Sequence, residues 1–212
     1  MQKLPSIAKQ HIIIFTRYPE PGKTKTRLIP ALGDMGAASL QKQMTEHTLS
    51  QVRKLTTTSA ITVEVRFSGG SCELMQNWLG LDLLYKNQGE GDLGQRMMRS
   101  LTDAFANNCE QVIIIGTDCP GLDCQILISA LEKLQGCELV LGPAIDGGYY
   151  LIGLRQLVPE LFSNIPWGTA QVFSQTVEIA QKLNLSSAYL SSLADVDRPE
   201  DLIVWQQIAT AY

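Results

Sequence analysis

The stretch PEPGKTKTRL at residues 19–28 holds Gly22, Lys23 and Thr24, which read like the last three letters of a phosphate-binding P-loop, with Lys25 and Arg27 close behind. A complete P-loop needs a second glycine five residues before Gly22, where Arg17 stands. Pro19 and Pro21 lack the N–H groups with which such a loop grips phosphate. The segment is therefore not a P-loop. Its four cations, Arg17, Lys23, Lys25 and Arg27, face only Glu20 as a counter-charge. Arginine offers paired donors and lysine a point charge, so the loop can converge on a di- or triphosphate, the competing reading being a solvated basic loop.

Carboxylates recur at matching places. Asp118, in GTDCPGL, follows an apolar run and can either hold a divalent ion such as Mg2+ or Mn2+ or cap the next helix, a role for which Asp123 is better placed. Asp195 and Asp197, in LADVDRPEDL, precede a helix expected near Pro199 and read as turn residues or as ligands. A magnesium site needs few protein ligands because phosphate oxygens and water complete it, so Asp118 with one of these two suffices. QGEGDLGQRM, residues 88–97, sets Gly89, Gly91 and Gly94 around Asp92, which suits close backbone approach to a ligand. Asp146, Gly147 and Gly148 repeat that pairing; both segments also read as tight turns. Trp167, in PWGT, is either a stacking platform or core, with Thr169 as the expected cap of the next helix. Cys119 has no histidine nearby in sequence and reads as a small buried residue.

These loops must be positioned by strands. HIIIF (11–15) and QVIIIG (111–116) are continuously apolar, as in strands covered on both faces of a parallel sheet. ITVEVRF (61–67), CELVLG (137–142), DGGYYLIGL (146–154) and SAYL (187–190) supply further strands. Between them run helical stripes: Ala37, Leu40, Met44, Thr48, Val52 and Leu55 behind Asp34 as expected N-cap; Leu93, Met97, Leu101 and Phe105; Leu127 to Leu134; Val172 to Leu183; and Leu202 to Ala209. Strand and helix alternate, which predicts one α/β domain over residues 1–212 with helices on both faces of a mostly parallel sheet and ligands outside the strands' carboxyl ends.

Composition sets limits. A net charge of −4 gives no general attraction to nucleic acid, so the basic loop reads as a local anion site. Five cysteines without a CxxC pair and two histidines argue against a disulfide framework and a zinc site, and point to a reduced, cytoplasmic protein. The N-terminal stretch is too polar for a signal peptide, and no apolar run reaches the roughly 18 residues of a membrane span.

In order, FTRYPEPGKTKTRL, QGEGDLGQRM, IIIGTDCPGL, DGGYYLIGL, PWGT and DVDRPEDL resemble the GT-A-like nucleotide-diphospho-sugar transferase family that includes arsenosugar-biosynthesis-associated proteins and is related to the molybdopterin and phospholactate guanylyltransferases. The resemblance spans roughly residues 11–205 and implies a three-layer GT-A fold. It also implies phosphate binding by Lys25 and Arg27, with Arg17 and Lys23 as further candidates, and a Mg2+ or Mn2+ site at Asp118 completed by Asp197, with Asp195 as the fallback. Arg198 replaces a commoner threonine in the last motif, and TDC stands where sugar-transferring relatives often carry DxD. The implied partners are a nucleoside-diphosphate sugar or an NTP and a small-molecule acceptor. Three functions follow as expectations: glycosyl transfer, with Asp146 as a candidate base and Gly147-Gly148 at the sugar or acceptor pocket; nucleotidyl transfer with pyrophosphate release; or nucleotide binding without turnover.

Overall fold

The computed structural model describes residues 9–56 and 61–209. Strand β1 (Gln10–Arg17) is followed by α1 (Ile29–Thr56), β2 (Ile61–Ser68), α2 (Cys72–Leu79), β3 (Leu84–Asn87) and α3 (Leu93–Ala106). Then come β4 (Gln111–Ile115), α4 (Cys124–Gly136), β5 (Leu139–Pro143), β6 (Tyr149–Leu154), α5 (Val172–Lys182), β7 (Ser187–Tyr189) and α6 (Leu202–Ala209). The seven strands form one sheet in the order β3-β2-β1-β4-β6-β5-β7. All neighbours pair in parallel except β6, which runs antiparallel to both β4 and β5. The fold is the mostly parallel α/β sheet that the alternating pattern predicts.

Why β1 and β4 lie at the centre follows from their composition. Ile12 and Ile14 point into one layer, with Leu49 and Val52 of α1, Met75 of α2 and Leu127, Leu131 and Leu134 of α4. Ile13 and Phe15 point into the other, with Met97 and Leu101 of α3 and Ala180 of α5. Alternate residues thus serve opposite cores, and each buried isoleucine contributes about 1.5–3 kcal/mol. A third cluster, Leu28, Ala37, Leu40, Met44 and Val196, seats α6 against α1 through Leu202, Val204 and Trp205.

Several local expectations are corrected. Asp34 is not an N-cap: α1 begins at Ile29 and breaks at Gly33, whose φ of 68° and ψ of 170° interrupt the helix one residue earlier. Thr169 is not the cap of α5; Gln171 holds that position without a side-chain cap, and Thr169 Oγ1 instead accepts from Gln171 N at 3.3 Å. Two elements carry no sequence signal. Strand β3 is four mostly exposed residues on the sheet edge, and α2 is an eight-residue helix whose cap, Ser71, accepts from Leu74 N. The expected cap Asp123 does cap α4, and Asp92, read from the sequence as a ligand-approach residue, instead caps α3.

Sheet order reverses beside β1, since the chain runs outward to β3 on one side and to β4 on the other. Such a switch point opens a crevice at the strands' carboxyl ends. Because β6 is antiparallel, its amino end opens onto the same crevice.

Candidate active site

A cavity of about 480 Å3 occupies that crevice. Its wall includes Arg17 after β1, Ser68 after β2, Gln88 after β3, and Gly116, Thr117 and Asp118 after β4. Asp146, Gly148 and Tyr149 close it from the β6 side, Trp167 and Val172 from the start of α5, and Arg27, Asp195 and Asp197 from the remaining loops.

The basic loop reaches the carboxylates through two ion pairs. Lys25 Nζ lies 2.7 Å from Asp118 Oδ1 and donates to Val196 O at 2.7 Å, while Arg27 pairs with Asp197. Lys25 sits in the left-handed region at φ 44° and ψ 48°, a conformation costing about 1–3 kcal/mol for a residue with a side chain. The two bonds of its ammonium, whose side chain is 4% exposed against 57% for Asp118, hold it there. The strained residue is thus the one that touches a proposed ligand.

Negative charge gathers opposite. Burial pushes the Asp195 carboxyl above its ordinary value, and Asp146, Asp201 and Asp197 push it further. The Cys119 thiol is driven up by burial first, then by Asp118, Asp195 and Asp146, so it remains a neutral thiol and no nucleophile. Among the described residues no three His, Cys, Asp or Glu side chains form a complete metal cage. Asp118, Asp195 and Asp197 on one open wall nonetheless fit a hydrated Mg2+ or Mn2+ whose other ligands are phosphate oxygens and water. Asp118 and one of Asp195 and Asp197 would hold it.

Beneath the cavity lies a buried hydroxyl and amide network. Thr16 and Thr45 share a bond of 2.8 Å, and Gln41 Nε2 stands 3.1–3.3 Å from the hydroxyls of Thr16, Thr45 and Thr117. His47 Nε2 donates to Pro120 O at 3.0 Å, which ties the loop after Asp118 to α1. Helix α1 therefore fixes the ends of both β1 and β4.

The remaining sequence candidates sit apart. Lys23 is exposed and pairs with Glu20 at 2.7 Å, and neither it nor Gly22 lines the cavity. Gly91 faces a separate open groove beside Arg99, Asp92 caps α3, and Gly94 packs against Phe162 O and Trp167, either of which an added Cβ would approach to 2.7 Å. Gly147 lies just behind the wall at φ 92°, where an added Cβ would stand 2.3 Å from Ala170 O. Gly147→Ala is expected to cost about 2 kcal/mol or more, read by urea denaturation, because it meets both a disfavoured φ and main-chain atoms that cannot yield. Gln41 and Ser68 line the cavity without any motif that marks them, and Thr16, Gln88 and Thr117 line it from within the motifs without a residue type that sets them apart.

A family model described as "Uncharacterized protein conserved in bacteria (DUF2064)" matches residues 51–169. A crystal structure from Desulfovibrio desulfuricans, of a protein provisionally named a nucleotide-diphospho-sugar transferase, shares 34% identity over 94% of this chain and 87% of that one, with a TM-score of 0.85. The chain belongs to this DUF2064 family of nucleotide-diphospho-sugar transferase-like proteins. More distant structures share the fold of the DUF2064 chain. A cytidylyltransferase from Leptospira borgpetersenii is 13% identical with a TM-score of 0.61, covering 97% of this chain and 88% of that one. Glucosyl-3-phosphoglycerate synthase from Mycobacterium tuberculosis, solved with Mn2+, UDP and phosphoglyceric acid, is 12% identical with a TM-score of 0.56, covering 95% and 76%. None of the curated proteins matches the sequence. No helix among the described residues of the DUF2064 protein is long and apolar enough to cross a membrane.

Proposed function

We propose that this protein is a metal-dependent glycosyltransferase-like enzyme that uses a nucleoside-diphosphate sugar. The observation that carries the reading is the double ion pair in the crevice, Lys25 with Asp118 and Arg27 with Asp197. Each cation neutralises one carboxylate in the free protein. A diphosphate and a divalent ion arrive with the opposite charges, so the pairs can exchange partners without leaving a charge uncompensated.

In that exchange Lys25 and Arg27 turn to the phosphate oxygens, which frees Asp118 and Asp197, and Asp118 with Asp197 or Asp195 would hold the ion. Bound Mg2+ or Mn2+ supplies neutralisation of the diphosphate leaving group. The acceptor hydroxyl forms its bond to the anomeric carbon as the bond from that carbon to the β-phosphate oxygen breaks. The electron pair stays on the diphosphate, where Lys25 and Arg27 stabilise it. The hydroxyl proton passes to a base, for which exposed Asp146 on the cavity wall is the candidate. Gly148 N donates to Asp146 Oδ1 at 2.8 Å, which orients the carboxylate.

Arg17 favours a second reading. It stands exposed on the wall in addition to the two paired cations, and a third positive charge suits a triphosphate. In that case an acceptor phosphate attacks the α-phosphorus of an NTP and pyrophosphate leaves through the same site. Incubation with UDP-, GDP-, CDP- and ADP-sugars, and separately with the four NTPs and phosphorylated acceptors, distinguishes the two. Release of a nucleoside diphosphate supports glycosyl transfer, and release of pyrophosphate supports nucleotidyl transfer. Binding without either product would leave a non-catalytic nucleotide module. On whichever substrate turns over, Lys25→Met is expected to lower kcat about 100-fold or more with a smaller change in KM, since its charge acts mainly on the leaving group.

A further inference from the structure

We propose that Gln88 reads the nucleobase, its side-chain carbonyl oxygen accepting a hydrogen bond from an N–H on the base's Watson–Crick edge. This rests on the nucleotide-transferase reading above and adds the residue that would recognise the base.

Gln88 is buried yet lines the cavity. Its side-chain nitrogen donates to Thr16 O at 3.1 Å and to Arg66 O at 3.0 Å. Both amide hydrogens are thereby committed to carbonyls of two adjacent strands, and turning the amide over would set its oxygen against those two acceptors. The oxygen is left as a pure acceptor of fixed direction. Among the described residues no side chain or main-chain group donates to it, and it is not sealed away as a buried orphan.

The main chain is held as firmly. Gln88 N donates to Phe67 O at 2.9 Å, and Arg99 donates to both Gln88 O and Glu90 O. Arg99 lies so close that a Cβ on Gly89, at φ 80°, would stand 2.5 Å from its Nη1. A side chain fixed at backbone and amide is pre-organised for a ligand rather than free to hydrate.

Position selects the base as the partner. Gln88 bridges β1 and β2, whereas Asp118 follows β4 on the far side of β1. Along the sheet the amide, between β1 and β2, is about one and a half strand spacings, roughly 7 Å, from the line of β4. An extended nucleotide with its phosphates at Asp118 spans that distance to its base edge. Leu93, 42% exposed on the same wall, offers an apolar surface for a planar ring.

The test is calorimetric titration of wild type and Gln88→Leu with UDP, CDP, GDP, ADP and inorganic pyrophosphate, each with Mn2+. The tightest nucleotide is then repeated with its base N–H methylated. Wild type is expected to favour one nucleotide, and Gln88→Leu to lose about tenfold or more of that affinity while binding pyrophosphate within about twofold of wild type. The methylated nucleotide should bind wild type as weakly as the parent binds the variant. Equal loss of nucleotide and pyrophosphate in Gln88→Leu, or a methylated nucleotide that binds wild type as tightly as its parent, overturns the assignment while leaving the functional reading intact. Failure of wild type to bind any of the five removes both.

Discussion

Asp118→Asn is expected to fold as wild type does and to turn over about a thousandfold more slowly or worse, with nucleotide binding no longer responsive to Mn2+. Asp118 is 57% exposed, so water partly replaces its ion pair with the buried Lys25 ammonium, and the loss to the fold is expected to be on the order of 1 kcal/mol. Lys25 also keeps its bond to Val196 O when Asp118 is neutral. The effect falls instead on the site, where the carboxylate would hold the ion that offsets charge on the leaving group. Steady-state kinetics together with a thermal melt separates the two. Retention of more than about a tenth of wild-type turnover would remove Asp118 from the machinery.

Arg66→Ala carries the largest expected loss of stability. Its guanidinium, 2% exposed, pairs with Glu64 and with Asp103, and His11 Nε2 lies 3.6 Å from Glu64 on the other side. Removing the arginine leaves Glu64 buried without its main counter-charge, which costs about 3–5 kcal/mol. For a domain of this size each kcal/mol lowers Tm by about 2–4 °C. Arg66→Met combined with Glu64→Leu should recover much of the loss, because no buried charge then remains unmatched.

The same network sets an acid limit. Burial alone would raise Glu64, but the His11 hydrogen bond and the charges of Arg66 and Lys86 outweigh it and hold the carboxyl below its ordinary range. Asp103 is lowered by its hydrogen bond from Arg66 and by the charges of Arg66 and Lys86, against a smaller desolvation effect. Folded-state values below the unfolded ones mean that the unfolded chain takes up protons first as pH falls. The contribution is complete above about pH 5 and is lost as pH drops below about 4 toward the folded values. Urea denaturation across that range should show a steeper acid loss in wild type than in Arg66→Ala.

What the sequence made legible was whatever repeats locally. Ile12 to Phe15 and Val112 to Ile115 announce central strands because both faces of each are buried, and Asp118 is conspicuous because it follows one of them. Strand β3 is short and exposed, so no apolar pattern marks it, and the helix break at Gly33 depends on a backbone angle that residue type permits without requiring. Long-range pairings were beyond reach. Lys25 meets Asp118 across 93 positions, and Gln88 is oriented by carbonyls 72 and 22 positions away. The elevated Asp195 carboxyl likewise depends on Asp146, which another loop supplies. Lys23 and Asp92 looked equivalent to their neighbours in the one-dimensional chain, but one turns to Glu20 and the other to its own helix.

The Asp118 crevice is proposed to bind a nucleotide diphosphate together with a divalent ion. The most direct test is the thermal stability of wild type and Asp118→Asn with UDP, GDP, CDP, ADP, their sugars and the four NTPs, each with and without Mn2+. A ligand at about 100 times its Kd adds roughly 2.7 kcal/mol of stability, a shift of several degrees. Mn2+-dependent stabilisation of wild type by a nucleotide, lost in Asp118→Asn, is the expected result. Stabilisation that ignores Mn2+, or that survives unchanged in Asp118→Asn, would contradict it.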